Sequence, residues 1–193
     1  FNLDSACLSG TGAGQPKGVL NDAALITVSK EVGQASGTIV PENITKMFAR
    51  LHPACAVSKS AVWIASSTII PALYTLTLKI KNAAASVVVG GSAWFLPNAV
   101  GAPGGTLLGL PIVFTEKTPA LGSKGDIILA DLSQYAIGLR KEVSIEKSGH
   151  VGFTRDMQTY RGIIRADGMG LWSGPFTPKN GSTLSWCVTL EAR

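Results

Sequence analysis

A sheet-rich α+β fold is predicted by three features of the sequence. Short apolar, β-branched runs recur between Gly, Pro and Asp turns, and the clearest helical periodicity is confined to one segment. Charged residues are only 15% of the 193, against 22 Gly and 10 Pro, a balance that favours strands and turns over long solvated helices. Hydrophobic residues make up 46%, enough for a substantial core in one domain or a domain with an appended subdomain.

Residues 1–22 are rich in Gly, Ser and Asn and read as irregular connection. "AALITVS" (Ala23 to Ser29) then suits a strand, and "GQASGT" a loop. In "PENITKMFARLHP" the residues Ile44, Met47, Phe48 and Leu51 fall at i, i+3, i+4 and i+7. Pro41 suits the first helical position and Pro53 stops the run, so the spacing predicts an amphipathic helix with a core-facing stripe. "AVWIAS" (Ala61 to Ser66) reads as a buried strand. Ser66 or Ser67 is placed to cap a helix through "TIIPALYTL", with Pro71 near its start. "ASVVVGGSAWFLP" and "GAPGGTLLGLPIVFTE" are apolar segments parted by a Gly and Pro cluster, and the region Gly90 to Gly109 reads as a flexible excursion.

From Leu107 onward "LLGLPIVFTE", "GDIILADL", "QYAIGL" and "EVSIEKS" read as short strands in an antiparallel arrangement. "FTRDMQTYRGIIRADG" is open between two states: Phe153, Met157, Tyr160 and Ile164 have helical spacing, while its Thr, Tyr and Ile favour a strand. The tail "NGSTLSWCVTL" starts at a turn signal and alternates Leu184, Trp186, Val188 and Leu190 against Ser185, Cys187 and Thr189, as a closing strand would.

Chemistry-bearing motifs are sparse. "SGTGAGQPKGVL" (9–20) has the glycines of a phosphate loop, but no Gly-Lys pair follows Gly10, Gly12 or Gly14 at the required distance, and Pro16 before Lys17 removes a backbone donor. A dinucleotide fingerprint fails as well, because Gln15 stands where its third Gly belongs. These glycines read as backbone freedom and tight passage beside neighbouring chain. His52, before Pro53 at a helix end, is expected near the last carbonyls, and His150 after Gly149 in a turn. Asp126, Asp131, Asp156 and Asp167 read as turn caps, and Arg161 and Arg165, on one helical face, are open between meeting phosphates and pairing with Asp156 or Asp167. The sequence therefore offers no catalytic residues, no metal ligands and no cofactor site. Cys7, Cys55 and Cys187 are odd in number and widely spaced, which suits reduced thiols. Net charge is +5, from 17 Lys and Arg against 12 Asp and Glu, without a block of like charge. The longest apolar stretches, such as Ala83 to Val89, fall short of the roughly 20 residues that span a bilayer, and no signal order opens the chain, so no membrane role is expected.

Three stretches, in this order, resemble the major capsid proteins of tailed bacteriophages with the HK97-type shell fold. They are "GTGAGQPKGVL", "GLPIVFTEKTPALGSKGDIILADLSQYAIGLR" and "SGHVGFTRDMQTYRGIIRADG". The resemblance implies an HK97-type α+β fold comprising an A-domain and part of a P-domain. Residues 1–22 would connect from the P-domain, 23–139 would form the A-domain, and 140–193 would return to the P-domain. It implies a non-enzymatic shell subunit that assembles with itself into pentamers and hexamers around a double-stranded DNA genome, touching the DNA non-specifically. Portal and scaffolding or decoration proteins would be further partners, with the virion capsid as its location and the host cytoplasm as the place of assembly. The family's N-terminal arm, E-loop and spine helix have no counterpart in these residues, so Phe1 is expected to begin a C-terminal portion, and no cross-linking residues carry over. A bacterial nanocompartment shell protein of the same fold is the alternative.

Overall fold

A computed structural model of the chain describes residues 2–76, 78–81, 87–90, 95–96 and 104–193. Its centre is a mixed seven-stranded sheet. The strands in chain order are β1 (Ile26–Val28), β2 (Ala61–Ser66), β3 (Leu78–Lys81), β4 (Val87–Gly90), β5 (Phe95–Leu96), β6 (Thr106–Leu107), β7 (Leu110–Thr115), β8 (Ile127–Asp131), β9 (Tyr135–Gly152), β10 (Met157–Gly170) and β11 (Cys187–Leu190). The order across the sheet is β1-β11-β8-β2-β7-β6-β5, while β3 pairs with β4 and β9 with β10 in two separate ribbons. The antiparallel expectation is corrected in part, because β1 runs parallel to β11 and β2 parallel to β7. Parallel neighbours need crossover connections, and between β2 and β7 the chain crosses through residues 67–109, whose first part is helical at 67–74.

Among the described residues four α-helices accompany the sheet: α1 (Asn2–Ser9), α2 (Pro41–Arg50), α3 (Pro53–Ala56) and α4 (Ile70–Tyr74). The expected stripe of α2 is buried, with Ile44 and Met47 fully enclosed and Leu51 just beyond, and α2 packs on β1 and β11. Pro41 starts it, and the Asn43 side-chain oxygen accepts the Val40 backbone N–H at 3.2 Å, closing the first turn. Ser66 begins the next helical stretch by accepting the Thr68 N–H at 3.4 Å; a 3-10 turn over Ser67–Ile69 leads into α4, which ends at Tyr74.

Residues 1–22 are not wholly irregular, as expected above: α1 and a 3-10 turn at Val19–Asn21 occupy them, held by Ala6, Leu8 and Val19 against the core. The strand expected from Ala23 is shortened to Ile26–Val28, because Asp22 captures the Ala24 N–H at 2.8 Å in a local turn. "QYAIGL" and "EVSIEKS" are one continuous strand, β9, since the intervening Arg140 and Lys141 supply no turn chemistry. The open segment after 153 resolves as a strand, β10. Part of the Gly90 to Gly109 excursion lies outside the described residues.

The tail forms a strand as expected, and it lies inside the sheet between β1 and β8; its alternation does not separate a wet face, since Ser185 through Leu190 are all buried. The polar residues on its second side are satisfied internally: Thr189 Oγ1 donates to the Ile127 carbonyl at 3.0 Å, and Ser185 Oγ to the Ala24 carbonyl. Strands β2 and β8 are buried at every position. Such runs read as continuous apolar segments because both of their faces are covered.

Asp126 was read as a turn cap, but it belongs to a buried ion pair. Arg193 Nη2 meets Asp126 Oδ2 at 2.7 Å and Nη1 meets Oδ1 at 3.2 Å, with both side chains wholly enclosed. The remaining groups are engaged as well. Arg193 Nε donates to the Thr38 carbonyl, and Asp126 Oδ2 accepts the Gly122 N–H at 2.9 Å. The Arg193 backbone exchanges hydrogen bonds with Gly122 and Gly37. Removing one partner of such a pair strands the other charge, whereas an apolar pair of similar size need not destabilise. Arg193→Ala should lower stability to urea by about 3–5 kcal/mol, and Asp126→Leu in combination with Arg193→Met should recover much of that loss.

Candidate functional site

The feature that sets this chain apart is the β9–β10 hairpin, whose strands pair only with each other. It is closed by a 3-10 turn at Phe153–Arg155 and by Asp156 in the left-handed region at φ 52°. Most of its side chains are exposed, including Ile137, Leu139, Val143, Ile145, Val151, Tyr160 and Ile164. A solitary two-stranded ribbon is marginally stable in water, and contiguous exposed apolar surface marks interaction sites. Ile137 and Leu139, two apart on one strand, lie on the same side of the ribbon at 59% exposure each. This apolar strip runs on to the sheet through Leu132 and Val113, beside a hollow of about 530 Å³ that α1 roofs with Asp4, Cys7 and Leu8.

The root of the hairpin is fixed by the glycine-rich stretch that resembled a phosphate loop. The Lys17 N–H donates to the Gly168 carbonyl at 2.7 Å, and the Tyr135 hydroxyl donates to the Lys17 carbonyl at 2.9 Å. Burial raises the pKa of that phenol well above its ordinary value, with a further push from neighbouring Cys7, so it stays a donor at any physiological pH. Within the loop the Gly18 N–H bonds the Gly10 carbonyl at 2.9 Å, and Asn21 Nδ2 caps the Ser9 and Gly10 carbonyls at 2.9 and 3.0 Å. A Cβ on Gly10 would lie 2.2 Å from the Pro16 carbonyl oxygen, and one on Gly18 would lie 2.6 Å from Leu8 and Gly10 backbone atoms. These glycines are therefore required for close approach between chain segments, as read from the sequence.

The other singled-out residues are dispersed. His52 does not reach the carbonyls that end α2. It caps the start of α3, Nδ1 accepting the Ala54 N–H at 3.3 Å, because Pro53 turns the chain straight into a new helix. Its ring lies edge-on to Trp172 and Phe176, with centroids 5.6 and 6.2 Å away. His150 is not in a turn but within β9, exposed. Arg161 and Arg165 share no helical face, since both lie on β10, and Arg161 pairs across the ribbon with Glu146 and with neither aspartate. Cross-strand partners replace i, i+4 partners once the segment is a strand. Asp131 caps as expected, accepting the Ser133 N–H at 3.1 Å. Asp167 accepts the Gly168 N–H at 2.8 Å. Cys7, Cys55 and Cys187 are unpaired thiols. Burial, assisted by the charge of Asp131, pushes Cys55 up to about 11, and burial pushes Cys187 up to about 12, so both are protonated and poor nucleophiles at neutral pH. Among the described residues no group of three or more His, Cys, Asp or Glu is placed to hold a metal ion. The arrangement presents surface; it does not assemble a nucleophile, a base and an oxyanion site.

The core sheet thus carries a long hairpin, unaccompanied among the described residues, on a root fastened to the glycine-rich loop. The sequence matches the family model described as the phage capsid family over residues 1–178, and the chain belongs to that family. Two solved structures are similar in fold. The capsid of an empty GTA particle, computed with C5 symmetry, matches with a TM-score of 0.63 at 17% identity, over 100% of this chain and 62% of that one. The capsid of a native GTA particle, computed with the same symmetry, matches with a TM-score of 0.59 at 16% identity, over 100% and 61%. The chain thus spans about three-fifths of the length of these capsid chains. No curated protein matches the sequence.

The closeness of the loop backbones gives a direct check. Gly18→Ala should cost about 2–3 kcal/mol in urea unfolding, as overpacking against rigid backbone does, while Gly149→Ala, which meets nothing within 4 Å on the ribbon, should stay within about 0.5 kcal/mol of the parent.

Proposed function

We propose that this chain is the shell-forming portion of a capsid subunit that assembles with itself into pentamers and hexamers enclosing a double-stranded DNA genome. The observation that carries this reading is the exposed apolar hairpin in a chain of the phage capsid family. A closed shell needs large self-complementary surfaces and no catalytic constellation, and the ribbon and the strip leading to it supply surface of that kind. The C5 symmetry of the GTA capsid structures supports assembly about a rotation axis.

In this proposal the sheet and its helices form the A-domain, which gathers about five-fold and six-fold axes, and the hairpin belongs to the P-domain. Residues 1–22 connect from the P-domain by packing along the hairpin's root, and 23–139 form most of the A-domain. Residues 140–193 are taken as the return to the P-domain, apart from β11, which lies between β1 and β8 in the sheet. Portal and scaffolding or decoration proteins are the further partners, and packaged DNA is touched through phosphate charge without sequence reading, in keeping with the net charge of +5. The subunit assembles in the host cytoplasm and resides in the virion capsid.

Negative-stain electron microscopy of the full-length gene product should show closed icosahedral shells. Discrete small oligomers under every assembly condition would contradict the proposal, and shells filled with a cargo protein in place of DNA would move it to a nanocompartment.

A further inference from the structure

We propose that the open edge of β1, where it runs beside α2, takes up an extended acidic peptide as an added strand. Strand β1 is the last of the seven on its side of the sheet. In a parallel ladder both polar groups of alternate residues point at the partner strand. The Val28 carbonyl accepts the Glu191 N–H at 2.9 Å, so Ile26 and Val28 face β11, and the N–H and C=O of Thr27 face the open side. Thr27 and Ser29 are exposed. Alongside them lies a hollow of about 640 Å³ floored by β1 and walled by Lys46, Ala49 and Arg50 of α2. A groove between an edge strand and a helix is the geometry in which a peptide adds to a sheet, its main chain supplying affinity and its alternate side chains specificity.

The charge of the groove selects the occupant. Lys30, Lys46 and Arg50 line it and no carboxylate does. Glu31, next along the chain, is held by Lys46 at 2.6 Å, and Arg50 spends one nitrogen on the Thr183 carbonyl at 3.1 Å, leaving its other donors free to meet a ligand. Lysine on an edge discourages pairing with neutral or basic strands, whereas an acidic strand meets it favourably. Nucleic acid fits less well. A phosphodiester offers acceptors alone and could satisfy the Thr27 N–H but not its carbonyl, while a peptide backbone offers both.

Fluorescence anisotropy on the full chain, with a short labelled peptide of alternating Glu and Val, tests the proposal. Saturable binding is expected, with none for the Lys and Val counterpart. N-methylation of alternate residues in the peptide should weaken binding at least about tenfold by removing its strand donors, and Lys30→Glu should weaken it by about the same factor. Thr27→Pro, which removes the outward N–H at a position where an edge strand tolerates proline, should act likewise. Equal binding of the N-methylated and parent peptides would overturn the proposal, as would displacement of the peptide by duplex DNA of equal charge with no effect of Thr27→Pro.

Discussion

The sheet is joined up only when β11, near the end of the given sequence, inserts between β1 and β8. Strand β11 joins β1 to β8, so neither the first strand nor the central pair β2 and β8 is complete until the tail arrives. The Asp126–Arg193 pair fastens that arrival: the guanidinium grips a carboxylate at the start of β8 and a carbonyl in the loop before α2, while the Asp126 carbonyl accepts the Ser66 N–H at the end of β2. Four distant stretches are thereby tied at one wholly buried point. An ion pair so enclosed contributes modestly in net terms, because desolvation offsets its attraction, but it penalises every arrangement in which one partner is missing.

From that fixed sheet the rest follows outward. The glycine-rich loop passes close enough to α1 and to itself that side chains are excluded at Gly10 and Gly18. The root is clamped from the loop by the Tyr135 hydroxyl and from the tail by Trp172, whose indole N–H donates to Gln134 at 3.0 Å. Beyond the root the ribbon's strands pair with each other and, among the described residues, with no other strand; its exposed side chains mix apolar residues such as Ile137, Leu139 and Ile145 with charged ones such as Glu146 and Arg161.

Much of the architecture was legible in the sequence where one physical signal dominated. Helix α2 showed its 3.6-residue stripe and its proline start, and β2 its apolar run; both lie within a residue or so of the expected bounds. The glycine pattern was legible as close packing because Pro16 and Lys17 ruled out a phosphate cradle. Failures came where tertiary context decides. Arg193 and Asp126 are 67 residues apart in the chain, and nothing local distinguishes a buried aspartate from a capping one. The central place of β11 was hidden by Cys187 and Thr189, which imitate a polar face although both are buried. Two expected strands merged into β9 because the break expected between them falls on Arg140 and Lys141, which carry no turn chemistry, and His150, expected in a turn after Gly149, lies within the ribbon. The exposure of the ribbon's apolar residues was hidden for a related reason: they look like core residues in sequence, and the fold leaves them uncovered by the described residues.

A capsid subunit needs this combination of a closed core and an unfinished periphery, since interfaces completed within one chain would leave nothing for its neighbours. Amide hydrogen exchange compared between assembled shells of the full-length product and the free chain tests that account most directly. The account predicts slow exchange in β2, β8 and β11 in both states, with residues 138–150 and 158–166 of the ribbon exchanging far faster in the free chain and becoming protected on assembly. Equal exchange of the ribbon in the two states would contradict it.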